Sequence, residues 1–305
     1  MARETRILTA AAIRRYKGQN EFLFNEMQAI FRAPTGKSAQ QFSRLLREAL
    51  RQRRPVKATL DSRGGVLHRV TPPSSRELEE FERLRIALEK PERSFRADVS
   101  SLDPTEFNLV SYHRLRCFRL CRRIIPNYRR AKQIFDFCAK QSCNLGGPFN
   151  ISPCIPFQYV RDGCYARAHK MRWIIETRYR YCCEKVFSFA NQVPDRLDVQ
   201  ATKWGGCCVE WWYHVAPLVR VRLGRFAVLL LVIDPGMFNK PVLLTTWLAA
   251  QENTTCNPNA HVSMYSIQPG SAYCPANYAG TAFTTDPNYT QTDATLTAYR
   301  NLITC

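Results

Sequence analysis

Asp162-Gly163-Cys164-Tyr165-Ala166-Arg167-Ala168-His169-Lys170-Met171-Arg172 reads as a glycine turn feeding a helix, with a cysteine at or near the first helical position. Ala168, Met171 and Ile175 recur at three- and four-residue spacing, so one face of that helix packs inward. A thiol at a helix start lies among backbone N–H groups with no partner inside the helix, at the positive end of the helix dipole. Both features favour thiolate over thiol. The same N–H groups can stabilise the oxyanion formed when sulfur attacks a carbonyl. The plain alternative is a structural cysteine, in a chain that has 13 of them.

The 305 residues suffice for one large domain or two ordinary ones, and an apolar fraction of 45% argues against disorder. No apolar run approaches the roughly 18–20 residues a membrane helix needs. Residues 7–13 are too short and too polar-flanked for a convincing signal peptide. A net charge of +19 invites nucleic-acid binding. However, no zinc-finger spacing, RNA-recognition signature or obvious helix-turn-helix accompanies it, so nucleic acid is not expected as the partner. The cysteines suggest an oxidising compartment. Adjacent pairs such as Cys182-Cys183 and Cys207-Cys208 do not match structural zinc knuckles, and no metal is expected. The cysteine count is odd. Setting Cys164 aside leaves twelve, enough for six bridges, and none of the thirteen precedes Cys117.

Residues 1–100 carry 17 Arg and 4 Lys against 12 acidic residues. Phe42, Leu45, Leu46, Ala49 and Leu50 form a helical stripe ending before Pro55. Val56, Ala58 and Leu60 alternate as a strand, Arg63-Gly64-Gly65 can turn, and Val66, His68 and Val70 return as a hairpin. Ser74 and Glu77 form a capping box for a helix burying Leu78, Phe81, Leu84 and Leu88. This is a small folded α/β unit, with His68 on its surface. Residues 91–103 read as a linker, and Asp103-Pro104 opens a helix through Phe107, Val110 and Leu115. Arg114, Arg116, Arg119, Arg122, Arg123, Arg129 and Arg130 then crowd the chain around Pro126, either as a solvated face or as a protease-sensitive junction.

Cys143 to Cys154 encloses a loop that a bridge would close. From Val209 the chain alternates, with Val209, Trp211, Tyr213 and Val215 on one face and Glu210, Trp212, His214 and Ala216 on the other. Phe226 to Ile233 is a second strand, joined through the hairpin loop Leu223-Gly224-Arg225. If that loop sets Arg222 opposite Phe226, His214 falls directly opposite Asp234, with Cβ atoms about 4.5–5.5 Å apart. A one-residue slip would weaken the pairing. After Trp247 the chain turns polar and loop-rich, fastened by Cys256, Cys274 and Cys305. Asn150, Asn253 and Asn288 lie in N-x-S/T sequons best read as polar surface loops.

Cys164 at a helix start, His214 on a strand and Asp234 on the next suit nucleophilic catalysis. The imidazole takes the thiol proton and later returns one to the leaving group, while the carboxylate orients the ring. This chemistry serves proteolysis, amide hydrolysis and acyl transfer alike. His169, five residues beyond Cys164 on the same helix, competes for the base role, but its spacing turns it away from the helix start.

Asp162 to Arg172, Tyr213-His214-Val215-Ala216 and Ile233-Asp234-Pro235 resemble the active-site blocks of bacterial protein glutaminases. These enzymes hydrolyse the side-chain amide of glutamine residues in proteins. The similarity also covers Ile125-Pro126 through Cys143, Ser152-Pro153-Cys154, Cys182 to Phe187 and Cys207-Cys208-Val209. The longer stretch from Cys183 to Cys207, the additional Cys117, Cys121 and Cys138, and the extra arginines depart from the family pattern. The resemblance implies an α+β fold with a papain/transglutaminase-like catalytic core, no cofactor, and Cys164, His214 and Asp234 as nucleophile, base and orienting group. It also implies secretion or periplasmic export as a monomeric zymogen. Residues 1–120 would form an inhibitory pro-segment removed by an activating protease, residues 121–305 the catalytic domain, and glutamine-containing proteins the substrates. The structural test of this arrangement is whether residues 40–80 occupy the cleft above Cys164. Transglutaminase-type acyl transfer, a cysteine peptidase and a deamidating effector delivered into other cells are the enzymatic rivals, and a cationic binding module is the non-enzymatic one.

Overall fold

A computed structural model of the chain describes residues 3–34, 36–61, 65–89, 121–223 and 227–305. The expected linker at 91–103, the helix after Asp103, the arginines up to Arg119, Cys117 and the turn residues 63–64 and 224–225 lie outside the described residues.

The N-terminal unit runs β1 (Glu4–Tyr16), β2 (Gln19–Phe24), β3 (Met27–Arg32), α1 (Lys37–Gln52), β4 (Pro55–Asp61), β5 (Val66–Thr71) and α2 (Ser75–Glu89). Helix α1 follows from its apolar spacing. Phe42, Leu46 and Ala49 are buried, and Arg53 in the left-handed region closes the helix two residues before Pro55. The capping box at α2 forms as expected, with the Ser74 N–H and hydroxyl donating to Glu77 and the Glu77 N–H returning to Ser74 Oγ. The α2 face differs: Leu78 is exposed, and the side chains of Leu84 and Leu88 are outside those described. Val56, Ala58 and Leu60 are buried on β4, whereas β5 buries Leu67 and Val70. A register shift between Thr59 and Leu60 swaps the inward parity, which alternation alone does not reveal. Strands β1 to β3 were not foreseen. Their pattern mixes Ala, Arg, Glu and Thr, and only pairing with β4 and with one another fixes them.

The C-terminal unit runs β6 (Ile124–Ile125), α3 (Tyr128–Ala139), α4 (Cys164–Thr177), β7 (Glu184–Phe189), β8 (Leu197–Gln200), β9 (Cys208–Trp211), β10 (Tyr213–Leu223), β11 (Ala227–Val232), β12 (Val242–Leu243), α5 (Leu244–Ala249), β13 (Met264–Gln268), β14 (Ala272–Pro275), β15 (Phe283–Thr285) and α6 (Thr290–Tyr299). Its main sheet has the order β12-β11-β10-β7-β13, with β6 beside β10. Helix α4 packs against this sheet through Ala168, Met171, Ile174 and Ile175, which share one core with Val215, Val219 and Val221. The helix is buried nearly all round rather than on one face, because α6 and the C-terminal loops cover its polar side. Its charges are accordingly paired: Lys170 with Asp293 at 2.8 Å and Arg172 with Glu176 at 3.1 Å.

The two units share a sheet. Strand β3 lies antiparallel to β9, with Ala29 opposite Trp211, so the order β2-β1-β4-β5-β3-β9-β8 runs through both. The alternation from Val209 to Ala216 is therefore not one strand. It breaks at Trp212 into β9 and β10, which belong to different sheets. There the Trp212 backbone N–H donates to the Gln28 carbonyl and its indole N–H to the Met27 carbonyl.

Among the described residues, four disulfides join Cys121 to Cys182, Cys143 to Cys154, Cys207 to Cys305 and Cys208 to Cys256, as suits an oxidising compartment. The bridge across the 143–154 loop is the one expected. Cys256 and Cys305 fasten the C-terminal stretch, but Cys274 does not. Among the described residues, Cys138, Cys164, Cys183 and Cys274 are all free and buried. Counting cysteines thus does not single out Cys164, because a small buried thiol packs as an apolar group and needs no partner. No helix among the described residues is long and apolar enough to cross a membrane.

Candidate active site

Gly163 precedes α4 in the left-handed region at φ 81°, and a Cβ there would meet Tyr299 Cδ2 at 2.9 Å. The N-cap residue, Gly163, has no side chain with which to cap the helix. The first N–H, that of Cys164, is instead taken by Gln28 Oε1 of β3 at 2.9 Å. The Cys164 thiol receives the backbone N–H of Val215, the residue after His214, so helix start and strand start meet at the sulfur. Burial pushes this thiol well above its ordinary range, and nearby Arg167 offsets only part of that.

His214 Nε2 lies 2.9 Å from Asp234 Oδ2, and the Trp247 indole N–H donates to the same oxygen at 3.0 Å. The imidazole is stacked between Trp211 and Trp247, with ring centroids 4.4 and 5.4 Å away. Its Nδ1 is buried and makes no hydrogen bond among the described residues. Burial lowers the affinity of His214 for a proton, and Asp234 offsets part of this. Burial alone would raise the Asp234 carboxyl, but His214 and Trp247 outweigh it and hold the carboxyl below its usual range.

The hairpin register differs from expectation. Leu223 pairs with Ala227 and Leu218 with Val232, two residues away from the expected offset, and the ladder ends before Asp234. His214 and Asp234 still meet, because side-chain direction has period two and a two-residue shift keeps both on one face. His169 is elsewhere. Its Nε2 lies 3.0 Å from the Asp286 carbonyl and its Nδ1 2.7 Å from Lys185 Nζ, so neither ring nitrogen is available to Cys164.

The stretch that meets Cys164 is β3, which lies before residues 40–80. Every polar group of Gln28 is engaged there: its N–H donates to Asp162 Oδ1 at 2.9 Å, its carbonyl accepts from Trp212, its Oε1 accepts from Cys164, and its Nε2 donates to the Val160 carbonyl at 3.0 Å. Asp162 is itself positioned by the Tyr299 hydroxyl, which donates to Oδ2 at 2.6 Å, and Val160 by the Trp211 indole, which donates to its carbonyl at 3.0 Å. Sequence reasoning passed over Gln28, Asp162, Val160 and the three tryptophans. The available signal was one polar residue, which the fold buries completely, inside the apolar run Met27-Gln28-Ala29-Ile30-Phe31.

An ion network beside the cleft ties the units together. Glu21, fully buried, contacts Arg14 at 2.9 Å, Arg32 at 2.8 Å and Arg196 at 2.7 Å. Arg32 also reaches Glu210 at 2.6 Å, and the Arg196 guanidinium lies 3.6 Å from the Tyr16 ring centre.

A family model described as glutaminase matches residues 131–251, the span holding all three candidate side chains. Comparison with curated proteins finds no match. Among solved structures, a crystal structure of pro-protein-glutaminase is 28% identical with TM-score 0.73, covering 97% of this chain and 92% of that one. A protein-glutaminase crystal structure is 36% identical with TM-score 0.53, covering 60% of this chain and 92% of that one. The NMR structure of protein-glutaminase from Chryseobacterium proteolyticum is also 36% identical, with TM-score 0.52, covering 60% of this chain and 91% of that one. Similarity to the protein-glutaminases thus reaches almost their whole length, and similarity to the pro-form extends through the N-terminal unit: the chain belongs to the protein-glutaminase family and has the organisation of its pro-form.

Proposed function

We propose that residues 121–305 deamidate glutamine residues in proteins, on a papain/transglutaminase-like core, and that residues 1–120 are an inhibitory pro-segment. Cys164 is the nucleophile, His214 its base and then the acid, and Asp234 the group that orients the ring. The Asp234 contact at Nε2 leaves Nδ1 as the nitrogen that takes the thiol proton. Sulfur adds to the amide carbon, its oxygen is held by the Cys164 N–H, and ammonia leaves with the proton from His214. Water deprotonated by His214 then cleaves the thioester to glutamate.

The observation that carries this reading is Gln28. A glutamine side chain lies on the helix start with its carbonyl oxygen on the Cys164 N–H and its amide nitrogen on the Val160 carbonyl. Its main-chain N–H and carbonyl are bound by Asp162 and Trp212, which favours a glutamine within a polypeptide over the free amino acid. While β3 fills the site, burial disfavours the charged forms of both Cys164 and His214. Departure of the pro-segment would readmit water and free the helix N-terminus to stabilise thiolate.

Cleavage within residues 100–125, followed by removal of the N-terminal unit, is expected to switch on ammonia release from a glutamine-rich protein such as casein. No ammonia from the processed enzyme with Cys164 intact would sink the reading. Isopeptide crosslinks to lysine with little ammonia hydrolysis product would instead favour acyl transfer. The disulfides support export, and toxicity in recipient cells that is lost in Cys164→Ser would mark an effector.

A further inference from the structure

We propose that Gln28 is the enzyme's first substrate, converted by Cys164 into glutamate within the unprocessed chain, and that this conversion loosens the pro-segment. The inference rests on the reading of Cys164 as nucleophile. Occlusion alone does not require a glutamine at this point of β3. The neighbouring residues Met27, Ala29, Ile30 and Phe31 are apolar and are buried in the cores of the two units. Gln28 alone among them presents a hydrolysable amide, and it presents it to the reacting residue. Its carbonyl oxygen already accepts the N–H of Cys164, the donor that stabilises an oxyanion.

The step balances without an added oxidant or reductant. Cys164 Sγ bonds to Gln28 Cδ while its proton passes to His214. The bond from Cδ to Nε2 breaks, and ammonia leaves carrying that proton. Water, the co-substrate of the same reaction, adds to the thioester when β3 opens. The carbon–sulfur bond then breaks, restoring the thiol and leaving a glutamate side chain at position 28. The product fits the site worse than the reactant. One carboxylate oxygen can still accept from Cys164, but the other replaces Nε2 and faces the Val160 carbonyl, two acceptors without a proton between them. A new buried negative charge also arises close to Asp162, which holds the Gln28 N–H. Deamidation therefore turns a matched plug into a mismatched one.

The test is peptide mapping by mass spectrometry of the full-length chain, comparing wild type with Cys164→Ser. The expected result is glutamate at position 28 in wild type, seen as the mass increment of exchanging NH2 for OH, and intact Gln28 in Cys164→Ser. Intact Gln28 in wild type, from a preparation whose processed form deamidates added casein, overturns the inference while leaving the proposed function standing. Intact Gln28 with no activity after processing overturns both. Equal conversion at position 28 in wild type and Cys164→Ser also overturns it, since the change would then not need the thiol. The loosening is read separately in the Cys164→Ser background. There Gln28→Glu is expected to speed tryptic release of the N-terminal unit, and unchanged release overturns that part.

Discussion

The N-terminal and C-terminal units solve stability differently. Residues 1–100 contain no cysteine, and their apolar core is built from β1 to β5 and α1. The C-terminal unit has four disulfides, one closing the chain's end onto Cys207 and another holding Cys256 to the adjacent Cys208. What joins the units is non-covalent: one strand pairing, the hydrogen bonds of Gln28, the ions around Glu21, and Leu23 and Ile30 buried in the C-terminal core are among the contacts. If the N-terminal unit is removed as proposed, the part that leaves is held without covalent bonds to the rest beyond the main chain, and the part that persists is cross-linked.

The largest effect should come from the chemistry of the C-terminal unit alone. In the processed enzyme, Cys164→Ala or His214→Ala is expected to reduce ammonia release on the order of 10⁴–10⁶-fold, and Asp234→Asn about 10⁴-fold. The N-terminal unit should still dock on these variants, so a binding assay with separated units would show whether catalysis and inhibition come apart.

The join is tested next. Arg196→Met removes the C-terminal unit's partner for Glu21 and its stack on Tyr16. Breaking a buried pair costs about 3–5 kcal/mol. The unprocessed variant should therefore leak deamidase activity by about 10²-fold or more over the unprocessed wild type. Equal leakage would show that β3 alone carries the inhibition.

The covalent half of the comparison gives a slightly smaller effect. Cys207→Ala with Cys305→Ala opens a loop of sequence separation 98 and should destabilise the processed enzyme by about 2–5 kcal/mol in urea unfolding. Reductant should lower the C-terminal unit's stability and leave that of the N-terminal unit unchanged.

Acid gives the smallest effect. Burial raises the Glu21 carboxyl, but Arg196, Arg14 and Arg32 outweigh it, so its folded value lies below its ordinary one. A carboxyl depressed in this way contributes stability that is present above its unfolded value and is lost as pH falls through the folded value. Docking of the units should thus weaken below about pH 4. Glu21→Gln should flatten that dependence in a pH series of trypsin sensitivity.

Much of the site was legible because its signals are local. A glycine followed by a cysteine and an apolar helix face places a thiol at a helix start whatever surrounds it. His214 and Asp234 survived a register error of two residues because both stayed on the same face. The same logic failed where a parity change was not local, at the β4–β5 register shift and at Trp212, where one apparent strand divides between two sheets. Disulfide choice was equally hidden. Cys183 and Cys274 look no different from their bridged neighbours until the fold buries them apart.

A helix-borne cysteine, a histidine and an aspartate of matching parity, a cysteine-free N-terminal third and an oxidising setting are all written in the local sequence. These follow from residue type and short-range period. The entry of β3 into the cleft and the meeting of Gln28 with Cys164 arise from long-range packing. That contact joins residues 136 positions apart, and no local periodicity encodes it. It exists because β3 finds an open edge at β9 and Trp212 turns to receive it.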